Sequence, residues 1–376
     1  MTKKGVLLLY TIFVSVIVFC VFCKKESYKI EISKEITTIH NFNPIWGSKE
    51  KIKLKLLKKI EFNKKTHQRP WDLVQDKKGN KYVLIEDNIK GFDIIKFKPN
   101  WECIRKFRKK KREPNDIINA RSLAIDNESN IYVVDKGIMY IHKFNPDGEF
   151  QKSIRMPYSS NKGCILNSGD IILIGRSFYS EKYGIVETKD PTMLIKINPN
   201  GEILKRFVEC QKYSDPDLLY LANEIDFDVD GENNIYVTFQ HQNRIEKYSR
   251  DGKLLFSADY PINYEINHKT GERKYSTSFP KLTFVSLDIN VDSKKCLWVT
   301  TFKKQPKNQG TRASTLKNYK ILKFEIFNND GILLGEIPVP TRFRKKRIYN
   351  TNLYLIDPYF EMCIYEYKII YFSQLK

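Results

Sequence analysis

Apolar and polar residues alternate along this chain in short runs broken by turns. The clearest run is RSLAIDNESNIYVVDKGIMYIHKFNPDGEFQKSI, residues 121–154. Period-two alternation with polar punctuation predicts four strands here, with a turn at Asn127–Asn130, a longer loop after IYVVD and a tight turn at Pro146–Gly148. The same order recurs at 71–107 and 225–258. A stretched copy runs through LDINVDSKKCLWVTTF and YKILKFEIFNNDGILLGEI, and an eroded one through CILNSGDIILIG and LIKINPNGEILKRF. The sixth copy, residues 352–370, reproduces the second and third strands and then stops. KIKLKLLKKIEF, residues 51–62, alternates in part and is expected to supply the missing strand. An open ring of such units would leave sheet edges that invite aggregation, so closure is required. The expectation is an all-β, six-bladed β-propeller of four-stranded antiparallel blades, closed by an N-terminal strand.

The recurring order is Asp, then Gly-Asn or Ser-Asn, a Tyr-Val strand, Ile-x-Lys-Phe and a Pro-Asp-Gly-Glu turn. It resembles the NHL repeat, and ending on a bare pair of strands resembles the NHL-like six-bladed propellers of exported bacterial lipoproteins. The likeness covers about residues 50–376. It departs at the third copy, which has IILIG in place of IYVVD, and at inserts 262–278 and 303–319.

Strand parity then assigns faces. Turns between strands 1 and 2 and between 3 and 4 fall on one face: Lys77–Asn80, Asn127–Asn130, Pro146–Gly148, Pro199–Gly201 and Arg250–Gly252. The longer connections fall on the other, where binding usually resides. Tyr82, Tyr132, Tyr236 and Trp298 share one place in the second strand, which predicts packing between neighbouring blades.

Charge and the first residues change the picture. With 65 Lys and Arg against 44 Asp and Glu, the net charge is +21, which fits either an anionic partner or a uniformly lysine-rich surface. Three basic segments are expected on the long-loop face: Arg108, Lys109, Lys110, Lys111 and Arg112; the insert beginning Lys303 and Lys304; and Arg342, Arg344, Lys345, Lys346 and Arg347. Lys3 and Lys4 precede an apolar run from Gly5 to Cys23, the layout of an export signal or membrane anchor. Cys23 is the lipidation candidate if a lipoprotein-type signal is cleaved, although large Val21 and Phe22 precede it; an uncleaved helix is the rival. The chain divides into signal or anchor 1–23, linker and extension 24–50, and one propeller domain 51–376. Its five remaining cysteines are scattered, without a CxxC pair.

Candidate chemistry is sparse. Entries to the innermost strands carry His67, Arg69, Asn119, Arg121, Lys162, Asn223 and Glu224, and His241 shares the long-loop face, where it could meet His67 over the central funnel. Arginine there could clamp a carboxylate or phosphate, or seal the ring against a neighbouring acid. No HExxH, GxSxG, P-loop or dinucleotide glycine motif occurs, so no metal or cofactor is assigned. The leading expectation is a non-enzymatic scaffold, tethered to the cell envelope by lipid or helix, that recognises a protein, peptide or anionic envelope component. The alternative is a propeller lyase or hydrolase acting on glycan or peptide, with its residues converging in the funnel. The export signal argues against nucleic acid as the partner.

Overall fold

A computed structural model describes residues 26–33, 35–47, 49, 51–87, 91–107, 117–175, 191–268, 281–306 and 318–372. The turns that punctuate the sequence share one device. Asp76 Oδ1 accepts from the N–H groups of Lys78 and Asn80, and its Oδ2 accepts from the Asn80 amide. Asp126 and Asp230 repeat this set, and Asp292 caps its turn through Lys294 and Cys296. Six residues on, Tyr132, Tyr236 and Trp298 donate back to the same carboxylates at 3.0, 3.0 and 2.8 Å. One side chain thereby satisfies the donors of a tight turn and pins the aromatic of the next strand.

Six sheets result, each built on four antiparallel strands. Their innermost strands are Arg69–Gln75, Ala120–Ile125, Gly163–Ile165, Ile225–Val229, Ser286–Val291 and Lys345–Tyr349. In every blade the register between the third and fourth strands shifts at an equivalent place, as at Lys96/Phe97, Lys143/Phe144 and Lys247/Tyr248. The sixth blade takes its fourth strand from β3 (Ile52–Glu61), which runs antiparallel to Cys363–Tyr371 from Glu61↔Cys363 to Ile52↔Tyr371. The same shift appears there at Glu366/Tyr367, so β3 fills the position of a covalent fourth strand. The ring closure expected of residues 51–62 is observed.

Apolar packing lies between blades. Each of the six wedges between neighbouring sheets holds its own buried cluster. Tyr82, Tyr132, Tyr236 and Trp298 each lie in the cluster shared with the following blade, as their recurrence predicts. Turn glycines let one blade approach the previous one: Gly148 has φ +84°, and a Cβ on it would lie 2.5 Å from Phe107. Gly331, at φ +81°, stands in the same relation to Phe256, at 2.7 Å. Only glycine meets both demands.

The N-terminal extension, expected as a linker, contains ordered structure. β1 (Tyr28–Ser33) and β2 (Ile36–Asn41) form a hairpin, and β2 adds in parallel to Leu254–Asp259, making the fourth sheet six-stranded. Asn41 fixes it by donating to the carbonyls of Asp259 and Gly331 and accepting from Leu333 N–H. Ile39 is buried beside blades four and five. Among the described residues no helix is long and apolar enough to cross a membrane. The apolar run Gly5–Cys23, Cys23 included, lies outside the described residues, as does Arg108–Arg112. All five described cysteines are free thiols.

Ile52 is 1% exposed and packs in the cluster between blades five and six. Ile52→Ala should therefore cost about 2–5 kcal/mol in denaturant unfolding, the penalty of a core cavity. A loss within about 0.5 kcal/mol, the range of a surface substitution, would remove β3 from the closed ring.

Candidate functional site: a basic funnel mouth

Three inner strands open with an apolar residue followed by an aspartate, Trp71-Asp72, Ile225-Asp226 and Leu287-Asp288, and Arg121-Ser122 takes the same place in blade two. In blades one, two and five the register shifts here, between Pro70 and Asp72, Ala120 and Ser122, and Ser286 and Asp288. An extra residue at such a bulge turns its side chain out of the regular alternation. Trp71 and Arg121 are two of these extra residues. The Arg121 guanidinium lies 4.2 Å from the Trp71 ring centroid. Trp71 is fixed by donating from Nε1 to Glu86 at 2.6 Å and by the edge of Tyr359 at 5.7 Å.

Below them, carboxylates of one blade meet cations of another. Asp72, with no exposed surface, accepts from Arg347 Nε and Nη2 (2.8 and 2.7 Å), Lys345 Nζ (2.7 Å), Ser122 Oγ (3.0 Å) and Leu123 N–H (2.9 Å). Blades six, one and two are joined at this carboxylate. Lys162 of blade three pairs with Asp226 of blade four at 3.1 Å, and Asp226 also accepts from Ile289 N–H of blade five. Lys346 pairs with Asp288 at 3.0 Å and donates to the Trp298 carbonyl at 2.7 Å, linking blades six and five.

Burial and pairing compete at each group. Burial alone would raise the Asp72 pKa, but Arg347 and Lys345 outweigh it and hold the carboxyl well below the usual range. Burial would lower Lys162, yet Asp226 leaves it raised. Lys345 goes the other way. Burial pushes it down to about 8, because the help of Asp72 is shared with Arg347, whose charge repels it.

These side chains surround a cavity of about 260 Å³ at the face where inner strands begin and second strands end. Its wall carries six basic residues, Arg121, Lys136, Lys162, Arg344, Lys345 and Lys346, against two acids, Asp226 and Asp288, so 6 − 2 leaves a surplus of four positive charges. Lys162 and Lys346 are matched by those two acids. Among the described residues no carboxylate pairs with Arg121, Lys136 or Arg344, and the buried Arg121 Nη1 has no hydrogen-bond partner. The arrangement can hold an anionic group against a cationic, aromatic-backed lip.

Of the strand-entry residues singled out in the sequence, Arg121 and Lys162 line this cavity. Arg69 is half-buried at the start of its strand and lies outside the lining, as does exposed His67. Asn119 is held at its backbone, by Asp135 and Lys136. Asn223 is a buried staple that accepts from Gln211 N–H and Gln242 Nε2 and donates to the carbonyls of Gln211 and Leu219. The backbone carbonyl of Glu224 accepts from Gln240 N–H. His241 is buried, donates to the Thr283 carbonyl at 2.9 Å and faces His268, its ring centroid 6.2 Å away. Neither His67 nor His241 lines the cavity. Among the described residues no group of three or more His, Cys, Asp or Glu is arranged to hold a metal ion.

The basic segment 342–347 is corrected in part. Arg344 lies at the mouth, while Arg342 is outside the lining, 3.6 Å from Glu361. Lys345, Lys346 and Arg347 are not a solvated face; they form the start of the innermost strand of blade six, neutralised by acids distant in sequence. Lys303 and Lys304 are exposed beyond the strand ending at Phe302, while 307–317 lies outside the described residues. Trp71, Asp72, Asp226 and Asp288 were missed. Their signal was the apolar-Asp-apolar opening of the first strand in WDL, IDF and LDI.

No family model matches the chain, and no curated protein matches it in sequence. Solved structures match it in fold. A member of the DUF4221 family from Bacteroides vulgatus shares 14% identity at a TM-score of 0.54, covering 85% of this chain and 99% of that one. A candidate exported protein from Bacteroides fragilis shares 11% at 0.55, covering 86% and 96%. Virginiamycin B lyase from Staphylococcus aureus shares 12% at 0.47, covering 85% and 100%. At such identities the likeness is one of fold.

Asp72→Asn would leave Arg347 facing a neutral amide in a buried setting, which should cost about 3–5 kcal/mol. The sign of its pH dependence follows from the depressed pKa: the stability that Asp72 contributes is present above the ordinary value of 3.8 and is lost as pH falls below it. Urea melts at pH 7 and pH 3 should show a smaller difference for Asp72→Asn than for the parent. An equal difference would mean that Asp72 does not tie the blades together.

Proposed function

We propose that this chain is an exported, NHL-like propeller, tethered to the cell envelope through Cys23, that serves as a binding scaffold for an anionic group carried by an envelope component. The observation that carries the reading is the surplus of cations at the funnel mouth, with the half-buried Arg121 stacked on Trp71 and matched by no carboxylate among the described residues. A carboxylate or phosphate would supply the missing counter-charge, and a bidentate contact is the strong form of that interaction. Binding is favoured over catalysis because the acids of the wall are already engaged. Asp226 and Asp288 hold Lys162 and Lys346, and Asp72 holds Arg347 and Lys345. None is left as a free acid or base beside the open cavity. The export and tethering part rests on the sequence, on Lys3, Lys4, the apolar run and Cys23.

Pyrophosphate and citrate are suitable probes, titrated calorimetrically, with a neutral sugar as control. Arg121→Ala should weaken binding of both anions at least about tenfold, the scale of one charge-assisted hydrogen bond, without lowering the melting temperature. Unchanged affinity would overturn the site.

The lowered pKa of Lys345 gives a second test. Its positive charge is present below about 8 and lost above it, so affinity should decline as pH rises from 7 to 9. A flat profile over that range would contradict a role for Lys345 in holding the anion.

A further inference from the structure

The added hairpin leaves β1 as the outermost strand of the fourth blade, and its edge differs from those of blades one, two and six. Cys103–Phe107 carries Arg105 and Lys106, Phe150–Arg155 carries Lys152 and Arg155, and β3 carries Lys53, Lys55, Lys58 and Lys59. Two copies meeting at any of these would bring like charges together, a common defence of exposed edges. β1 reads Tyr-Lys-Ile-Glu-Ile-Ser, with one Lys and one Glu. Tyr28, Ile30 and Ile32 are 37, 47 and 76% exposed and share one face of the strand.

The ladder within the hairpin fixes which backbone groups point outward. Phe42 N–H donates to the Ser27 carbonyl, and the register runs Tyr28↔Asn41 to Ser33↔Ile36. Hydrogen-bonded and non-bonded pairs alternate in an antiparallel ladder, so residues 29, 31 and 33 bond to β2 while 28, 30 and 32 turn their N–H and C=O groups to the free edge. From this geometry we infer that two copies of the chain associate through β1, antiparallel, about a two-fold axis at Ile30.

Register and charge select this arrangement independently. Only residues 28, 30 and 32 can enter hydrogen-bonded pairs, and the register that uses all three sets Ile30 opposite Ile30 and Tyr28 opposite Ile32 of the second copy. It also sets Lys29 opposite Glu31 of the second copy, twice by symmetry. Sliding by two residues in one direction sets Lys29 against Lys29, and in the other Glu31 against Glu31. Like charges directly opposite destabilise a ladder. Within one chain Lys29 and Glu31 already lie 2.7 Å apart, so the pairing extends them into an alternating cluster of four charges. Ile30 and Ile32 would be covered on the same face as Ile39, which is buried. This inference does not depend on the funnel or its ligand.

Sedimentation velocity of the full-length chain in mild detergent tests it, using variants chosen to leave the hairpin intact. The parent should show a concentration-dependent dimer. Lys29→Glu alone and Glu31→Lys alone should each weaken dimerisation about tenfold or more, from two like-charge pairs. Mixing those two single variants should restore association as a heterodimer, because each then opposes the other's charge. The double variant with both substitutions should dimerise like the parent. Ile30→Pro removes an outward donor without touching the ladder to β2, and should abolish the dimer at unchanged melting temperature. A monomeric parent, or single variants that dimerise as the parent does, would overturn the inference.

Discussion

Everything at the centre of this molecule depends on one buried carboxylate having enough partners. Asp72 accepts from Arg347, Lys345, Ser122 and Leu123, so three blades converge on one residue near the axis of the ring. Unpaired, that charge would be costly in such a setting, and so would the guanidinium of Arg347. Together they let blade six begin with three consecutive basic residues in the interior. Lys162 with Asp226 and Lys346 with Asp288 repeat the solution around the axis. The ring is joined at its rim by apolar wedges and at its axis by ions.

The architecture was legible because its determinants are local and repeated. Asp126 caps its own turn and Tyr132 returns to it within six residues, so the unit announces itself in a short window. Closure by 51–62 was legible for a related reason: a blade missing its fourth strand demands one, and β3 has the alternation to supply it. The axis was not legible in the same way. Lys345, Lys346 and Arg347 read as a solvated basic loop, because what neutralises them is spread over blades one and five. Asp72 lies 273 residues from Lys345 in sequence. The hairpin at 28–41 was hidden too, since it joins the sheet in parallel beside a strand more than two hundred residues away.

Candidate residues sorted by the same logic. Arg121 and Lys162 sit at strand entries that bulges or the mouth itself present to the cavity, and position alone was enough to find them. Asn223, at such an entry, and His241, just beyond the end of a second strand, are consumed by backbone: Asn223 bonds Gln211 and Leu219, and His241 bonds Thr283. A polar side chain at a strand entry is therefore ambiguous until its backbone neighbours are known. Trp71 resolves one such case, since its ring supports Arg121 while its indole nitrogen is held by Glu86.

The proposed function requires that an anion, brought to this protein, settle at the mouth of the funnel and not on its basic rim. Crystals grown or soaked with tungstate would show this through anomalous scattering. The account predicts a peak within hydrogen-bonding distance of the Arg121 guanidinium, bounded by Lys345 and Arg344. Tungstate bound only at outer-edge lysines such as Lys55 and Lys152, with the funnel mouth empty, would contradict it.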